Sequence, residues 1–145
     1  MQAMTITTEQ TQALERLVYK SRATEVMGTL ALFNLLNQAR ERNANLGVTG
    51  HLLYVNGMFT QCIEGPAEAL NSLWAALLKD PRHHDIQLLD RSPIGHRSFA
   101  DWSMAFSSYR YLNAFNMPGF FPIDEGGASP QSLMCKGETG QALPS

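Results

Sequence analysis

Residues 48–66 read VTGHLLYVNGMFTQCIEGP, and the Asn56-Gly57 pair at their centre decides how they fold. Asn-Gly accepts the two successive positive φ angles of a type I′ turn, whose twist matches a two-residue hairpin. The apolar stretches on either side therefore predict strands over residues 48–56 and 58–64. Along the returning strand Phe59, Gln61 and Ile63 share one face, so a polar amide sits between two residues that belong in a core. Gly65-Pro66 then opens a helix, because proline is tolerated in a first helical turn.

Upstream of the hairpin, Leu32, Leu35, Leu36, Ala39 and Asn43 recur at spacings of three and four. They predict a helix from about residue 24, with Thr24 as N-cap, to about residue 43, ended by Asn45 and Gly47. Before it, LERLVYKS (residues 14–21) alternates as a strand, placing Leu17, Tyr19 and Ser21 on one face. Downstream, Leu70, Leu73, Trp74, Leu77 and Leu78 form the stripe of a second helix, which Asp80-Pro81 stops. Residues 85–90 and 99–106 predict two more strands. The order β-α-β-β-α-β-β is that of an α+β ferredoxin-like sandwich with one strand added: two helices on one face of a five-stranded mixed sheet. The other face needs cover. Leu112, Phe115, Met117, Phe120 and Phe121 are too apolar for a free tail, and a C-terminal segment is expected to supply part of it. The expected organisation is an N-terminal extension (1–13), one domain (14–107), and an apolar segment with a flexible Gly/Ser/Pro-rich tail (108–145).

The 145 residues suffice for one domain with a core. Charged residues make up only 17%, against about 25% in ordinary globular chains, which points to surface covered by a ligand or another subunit. A net charge of −2 gives no general attraction to nucleic acid or anionic membrane, and no apolar run approaches a membrane span. A cytoplasmic protein is expected. Nucleophile-elbow, P-loop, dinucleotide and HExxH motifs are absent, so an enzyme is not expected. His83-His84 has no supporting ligand spacing and reads as a solvated helix-to-strand connection, not a metal site. Cys62 lacks a neighbouring base or cation and reads as a packed thiol; Cys135 lies in an unrelated context.

Less usual are polar residues where a core should be: Tyr19, Ser21, Asn43 and Gln61. Buried polar groups must be hydrogen-bonded, and any one of these could be satisfied within the core. Four at the ends of different elements suggest the polar edge of a site for a flat ligand, with Leu35, Leu36 and Leu77 as its apolar lining. Trp102 and Met104, two apart on an expected strand, should share a face.

Taken in order, RLVYKS (16–21), NANLGVTGHLLYVNGMFTQCIEG (43–65), DPRHHDIQLL (80–89) and RSFADWSM (97–104) resemble the BLUF family, blue-light sensors using flavin. The resemblance covers about residues 14–107. It implies that Tyr19 is the photoactive tyrosine and Gln61 the glutamine between it and the flavin ring. Asn43 would hydrogen-bond the ring's polar edge, with Ser21 beside it. Leu35 and Leu77 would flank the ring, and Arg82 and His83 would lie near the ribityl chain and phosphate. Trp102 and Met104 match the pair whose placement varies with functional state. Arg42 stands where family members often carry Asn or His. The implied cofactor is non-covalent FAD, with FMN as the alternative. The implied event is electron and proton transfer from Tyr19 that leaves Gln61 rearranged and the absorption red-shifted. A separate downstream protein and a homo-oligomer are the expected partners. The rivals are a ferredoxin-like small-molecule-binding regulatory module without photochemistry and an acylphosphatase-like hydrolase.

Overall fold

The computed structural model describes residues 13–109 and 118–123. Expectations for residues 1–12, for Leu112, Phe115, Met117 and Cys135, and for the C-terminal tail fall outside them. Strand β1 (Leu14–Ala23) leads to helix α1 (Thr29–Leu46), then β2 (Thr49–Val55) and β3 (Met58–Pro66). Helix α2 (Ala67–Lys79), β4 (His83–Ile94) and β5 (Ala105–Ser107) complete the order. The sheet runs β4-β1-β3-β2-β5, antiparallel except that β5 lies parallel to β2. This is the ferredoxin-like arrangement with an added edge strand. Asn56 and Gly57 adopt φ of 54° and 76°, the two positive angles a type I′ hairpin requires.

Cross-strand pairing explains the core. Leu17 faces Ile63, Tyr19 faces Gln61 and Ser21 faces Phe59, while Leu52 and Tyr54 of β2 face Gln61 and Phe59. Residues of this face join Leu32, Leu36 and Ala39 of α1 and Leu70, Leu73 and Leu77 of α2 in one cluster, so both helices cover the same side. On the other side Leu53, Cys62 and Phe99 form a second cluster with Val18, Val55 and Ile123. Segment 118–123 runs along β5, with Phe121 N–H donating to Phe106 O and Ile123 N–H to Ser108 O. Through Ile123 it supplies part of the expected cover.

Several elements differ from the expectations. Thr24 is not the N-cap of α1: its N–H donates to Arg82 O and its hydroxyl to Pro81 O, which fastens it to the α2–β4 connection, and the helix starts after Gly28. The end at Gly47 is as expected, in the left-handed region with φ 71°. Leu78 is 52% exposed, so the apolar stripe of α2 ends at Leu77. His83 is no solvated connection. It is the buried first residue of β4, while His84 beside it faces solvent. Strand β5 is three residues long rather than eight, because the chain before it is fastened elsewhere. Glu64, 1% exposed, accepts hydrogen bonds from Ser98 N–H (2.6 Å) and Phe99 N–H (3.0 Å), and Trp102 N–H donates back to Phe99 O. Residues 99–104 therefore turn instead of alternating, and Trp102 and Met104 do not share a face. Met104 is fully buried in the helix-side core, whereas Trp102 lies edge-on to Phe121 at 6.2 Å.

The short β5 is held by a histidine on the side away from the helices. His51 is fully buried, stacks on Phe99 at 5.3 Å and hydrogen-bonds through Nε2 to Ser107 Oγ at 2.8 Å. Burial pushes its pKa down from 6.5 to about 4. The unfolded chain takes up this proton below pH 6.5 and the folded chain only near pH 4, so stability falls as pH drops through that window. The expected loss between pH 7 and pH 4.5 is about 2 kcal/mol, read as a lower urea midpoint at the lower pH. In His51→Gln the acid slope should be shallower; an unchanged slope would refute the assignment to His51.

Candidate functional site

A narrow cleft opens between α1 and α2 over the sheet. Leu35 and Ala39 line it from α1 and Leu77 from α2, with Tyr19, Leu52, Phe59 and Gln61 from the strands. Arg42, Asp80, Arg82 and His83 add its polar lining. The alternation of β1 and β3 places Tyr19 and Gln61 directly opposite each other, and both are 3% exposed. The Tyr19 hydroxyl donates to Gln61 Oε1. The Gln61 amide in turn donates through Nε2 to Met104 Sδ at 3.6 Å, a weak acceptor. Tyr19 also packs at a tilt on Trp74, with ring centroids 5.4 Å apart.

Burial raises the Tyr19 pKa far above that of a free phenol; the Arg42 charge opposes this and the Asp80 charge adds to it. The hydroxyl therefore keeps its proton in the folded protein. Burial also lowers the Arg42 pKa, with Tyr19 opposing the shift. Arg82 is bound by Asp80 through paired contacts, Nε to Oδ1 at 3.0 Å and Nη2 to Oδ2 at 2.7 Å. These hydrogen bonds hold the Asp80 carboxyl below the usual range against its partial burial.

The remaining expected site residues fall into two groups. Ser21 and His83 pair with each other: Ser21 Oγ lies 2.7 Å from His83 Nδ1, and His83 Nε2 lies 2.7 Å from Leu77 O. A carbonyl only accepts, so Nε2 carries the proton, and in the neutral ring Nδ1 accepts from the serine. Ser21 thus fixes the ring that lines the cleft rather than lining it. Leu36 stays in the core and is not part of the lining. Asn43 is fully buried; its Nδ2 donates to Ser103 O at 2.8 Å, but its Oδ1 has no hydrogen-bond partner. Arg42 Nε, one residue away, is likewise buried and unpartnered. Asn43 is not among the residues lining the cleft, whereas Arg42 is, and an unpaired buried acceptor or donor is costly to the fold.

Sequence reasoning missed Asp80 as part of the lining and treated it only as a helix stop. Its signal was the spacing Asp80-Pro81-Arg82, in which the aspartate accepts the Arg82 backbone N–H at 2.9 Å. Among the described residues no three His, Cys, Asp or Glu side chains converge as a metal site, and no helix is long and apolar enough to cross a membrane.

Comparison with known proteins places this arrangement. The chain is 40% identical over 103 residues to photoactivated adenylate cyclase subunit beta from Euglena longa, covering 70% of this chain and 12% of that protein. It therefore spans about an eighth of the length of that relative. Its structure is similar to the dark state of BlrB, a BLUF protein, with a TM-score of 0.65 at 39% identity, covering 71% of this chain and 78% of that one. The ground state of BlsA matches with a TM-score of 0.67 at 29% identity, covering 91% and 89%. Residues 14–105 match the family model described as sensors of blue-light using FAD, and the chain accordingly belongs to the BLUF family of flavin-using blue-light sensors.

Proposed function

We propose that a non-covalently held flavin, FAD in the first instance, occupies the cleft between α1 and α2, and that the Tyr19–Gln61–Met104 chain converts its excitation into a conformational signal. The single observation that carries this reading is that chain, beside the unpartnered Asn43 Oδ1. Asn43 Oδ1 is an acceptor suited to a ring N–H. Leu35 and Leu77 supply apolar contact on either side, and Arg42, Arg82 and His83 supply the polar surface for the remainder of the cofactor. When bound and excited by blue light, the flavin is a strong oxidant.

Tyr19 is suited to give up an electron to the bound flavin together with its hydroxyl proton, which is already directed at Gln61 Oε1, and to take both back once Gln61 has rearranged, so that no net oxidation remains. Its raised pKa means that the proton leaves only with the electron and not by simple ionisation. Gln61 carries a carbonyl and an NH2 on one pivot, so it can exchange the groups it offers to Tyr19 and to Met104. That exchange changes the hydrogen bonds offered at the cleft without a covalent bond, and the absorption moves to longer wavelength. Met104 follows Gln61 and passes the change to β5, while Trp102 takes part at the surface beside Phe121.

We also propose that the chain acts through a separate downstream protein and self-associates, consistent with its low charge content. It is proposed as a cytoplasmic sensor rather than an enzyme. Light scattering that returned only monomer at every concentration would remove the self-association. The decisive experiment for the site is an absorption spectrum of the purified protein before and after brief blue illumination. A flavin band that shifts red and recovers in darkness is expected. A band that bleaches or stays fixed overturns the mechanism, and a colourless preparation after flavin supplementation overturns the site.

A further inference from the structure

Arg40 stands on α1 one turn before Asn43, so the two side chains are neighbours on the helix surface. Together they hold two successive carbonyls of the chain leading into β5: Asn43 Nδ2 donates to Ser103 O, and Arg40 Nε donates to Met104 O at 2.8 Å. The same guanidinium reaches a second piece of chain, with Nη2 donating to Pro118 O at 2.7 Å. Gly119 follows, at φ +80°, and a Cβ there would come within 2.9 Å of both Arg40 Nη2 and the Trp102 ring. The backbone of segment 118–123 is therefore seated against Arg40 as closely as a residue without a side chain allows. Beyond this point the segment is paired to the sheet edge, Phe106 N–H donating to Gly119 O and Phe121 N–H to Phe106 O, both at 2.8 Å. Burial lowers the Arg40 pKa, but a guanidinium remains charged in the folded protein, so both contacts are charge-assisted.

We propose that Arg40 is a positioning residue that carries a change at Gln61 and Met104 into segment 118–123. The route has three contacts, Gln61 Nε2 to Met104 Sδ, Met104 O to Arg40, and Arg40 to Pro118 O. The donors of a guanidinium sit in a rigid planar fork, so it cannot follow a displaced Met104 carbonyl and keep its bond to Pro118 in place. When Gln61 rearranges and Met104 moves, one of the two bonds is lost and the segment loosens from β5. The light dependence of this step rests on the flavin reading above; the tether in the dark does not.

The test is hydrogen exchange on the flavin-loaded full chain, in darkness and under continuous blue light, with the red shift recorded on the same samples. In the wild type, the Phe121 and Ile123 amides should exchange faster in the light, while Leu17 and Ile63 in the central strands stay unchanged. In Arg40→Ala the red shift should keep its full amplitude, these two amides should already exchange on the order of tenfold faster in the dark, and light should add nothing further. Arg40→Lys keeps the charge and one bond, and should restore part of the dark protection and part of the light response. It also carries the test if the alanine variant loses protection at Leu17 and Ile63 and so fails to fold. Dark exchange in Arg40→Ala equal to wild type overturns the tether. A wild-type light response retained in Arg40→Ala, or a red-shifting wild type with no change at Phe121 and Ile123, overturns the coupling. A wild type with no red shift counts against the flavin reading alone, and the dark comparison still decides the tether.

Discussion

Tyr19→Phe should bind flavin and show no light-induced red shift. Phenylalanine keeps the ring that packs on Trp74 and the apolar contacts of the helix-side core, so the cleft retains its shape. What is lost is the one hydroxyl directed at Gln61 Oε1, and with it the only tyrosine proton in the Tyr19–Gln61–Met104 chain. Without that donor nothing drives the glutamine to rearrange, and the loss of signal should be complete rather than graded. The fold should survive at a cost of about 1–3 kcal/mol, because Gln61 Oε1 becomes a buried acceptor without its donor. Difference spectra before and after illumination check the first part and urea unfolding the second. A normal red shift in this variant would remove Tyr19 from the mechanism.

Gln61→Leu should be equally silent to light, for a different reason. Leucine fills a similar volume but has no carbonyl for Tyr19 and no NH2 for Met104, so there is nothing to rearrange even if the tyrosine still gives up its electron. A full red shift in Gln61→Leu would show that the spectral change arises elsewhere. The stability cost should again be about 1–3 kcal/mol, now because the Tyr19 hydroxyl is left buried and unpaired. Combined with Tyr19→Phe the penalty should be smaller than the sum of the two, since removing both partners leaves neither stranded. An additive double variant would mean that the two side chains do not interact.

Much of this site was legible before the structure, because it rests on period-two alternation. Once Asn56-Gly57 fixed the hairpin, Phe59, Gln61 and Ile63 had to share a face, and the same argument set Leu17, Tyr19 and Ser21 together. What alternation cannot show is which side chain a distant residue takes as partner. Thr24 looked like an N-cap because capping is a local rule; its hydroxyl instead donates to Pro81 O, 57 residues away. Strand β5 looked longer because nothing near Phe99 announces that Glu64, 35 residues earlier, claims its N–H. His83 looked solvated because its neighbours are polar, whereas its two nitrogens are occupied by Ser21 and Leu77. Leu78 was misplaced by one position, the usual error where a helix stripe meets its last turn.

The position of β1 bears on how the chain assembles. It is the first strand in sequence but lies second from the sheet edge, paired on one side with β3 and on the other with β4, from Leu14 against Ile94 to Ala23 against His83. During synthesis the β2–β3 hairpin can close on its own from neighbouring residues, while β1 waits through some seventy residues for its second neighbour. Such long-range pairing is slow, and until it forms β1 has one edge without a sheet partner. A chain interrupted before Leu88, the residue opposite Tyr19 on β4, leaves Tyr19 on a strand bounded on one side only, so light sensitivity arrives late in the life of the nascent protein.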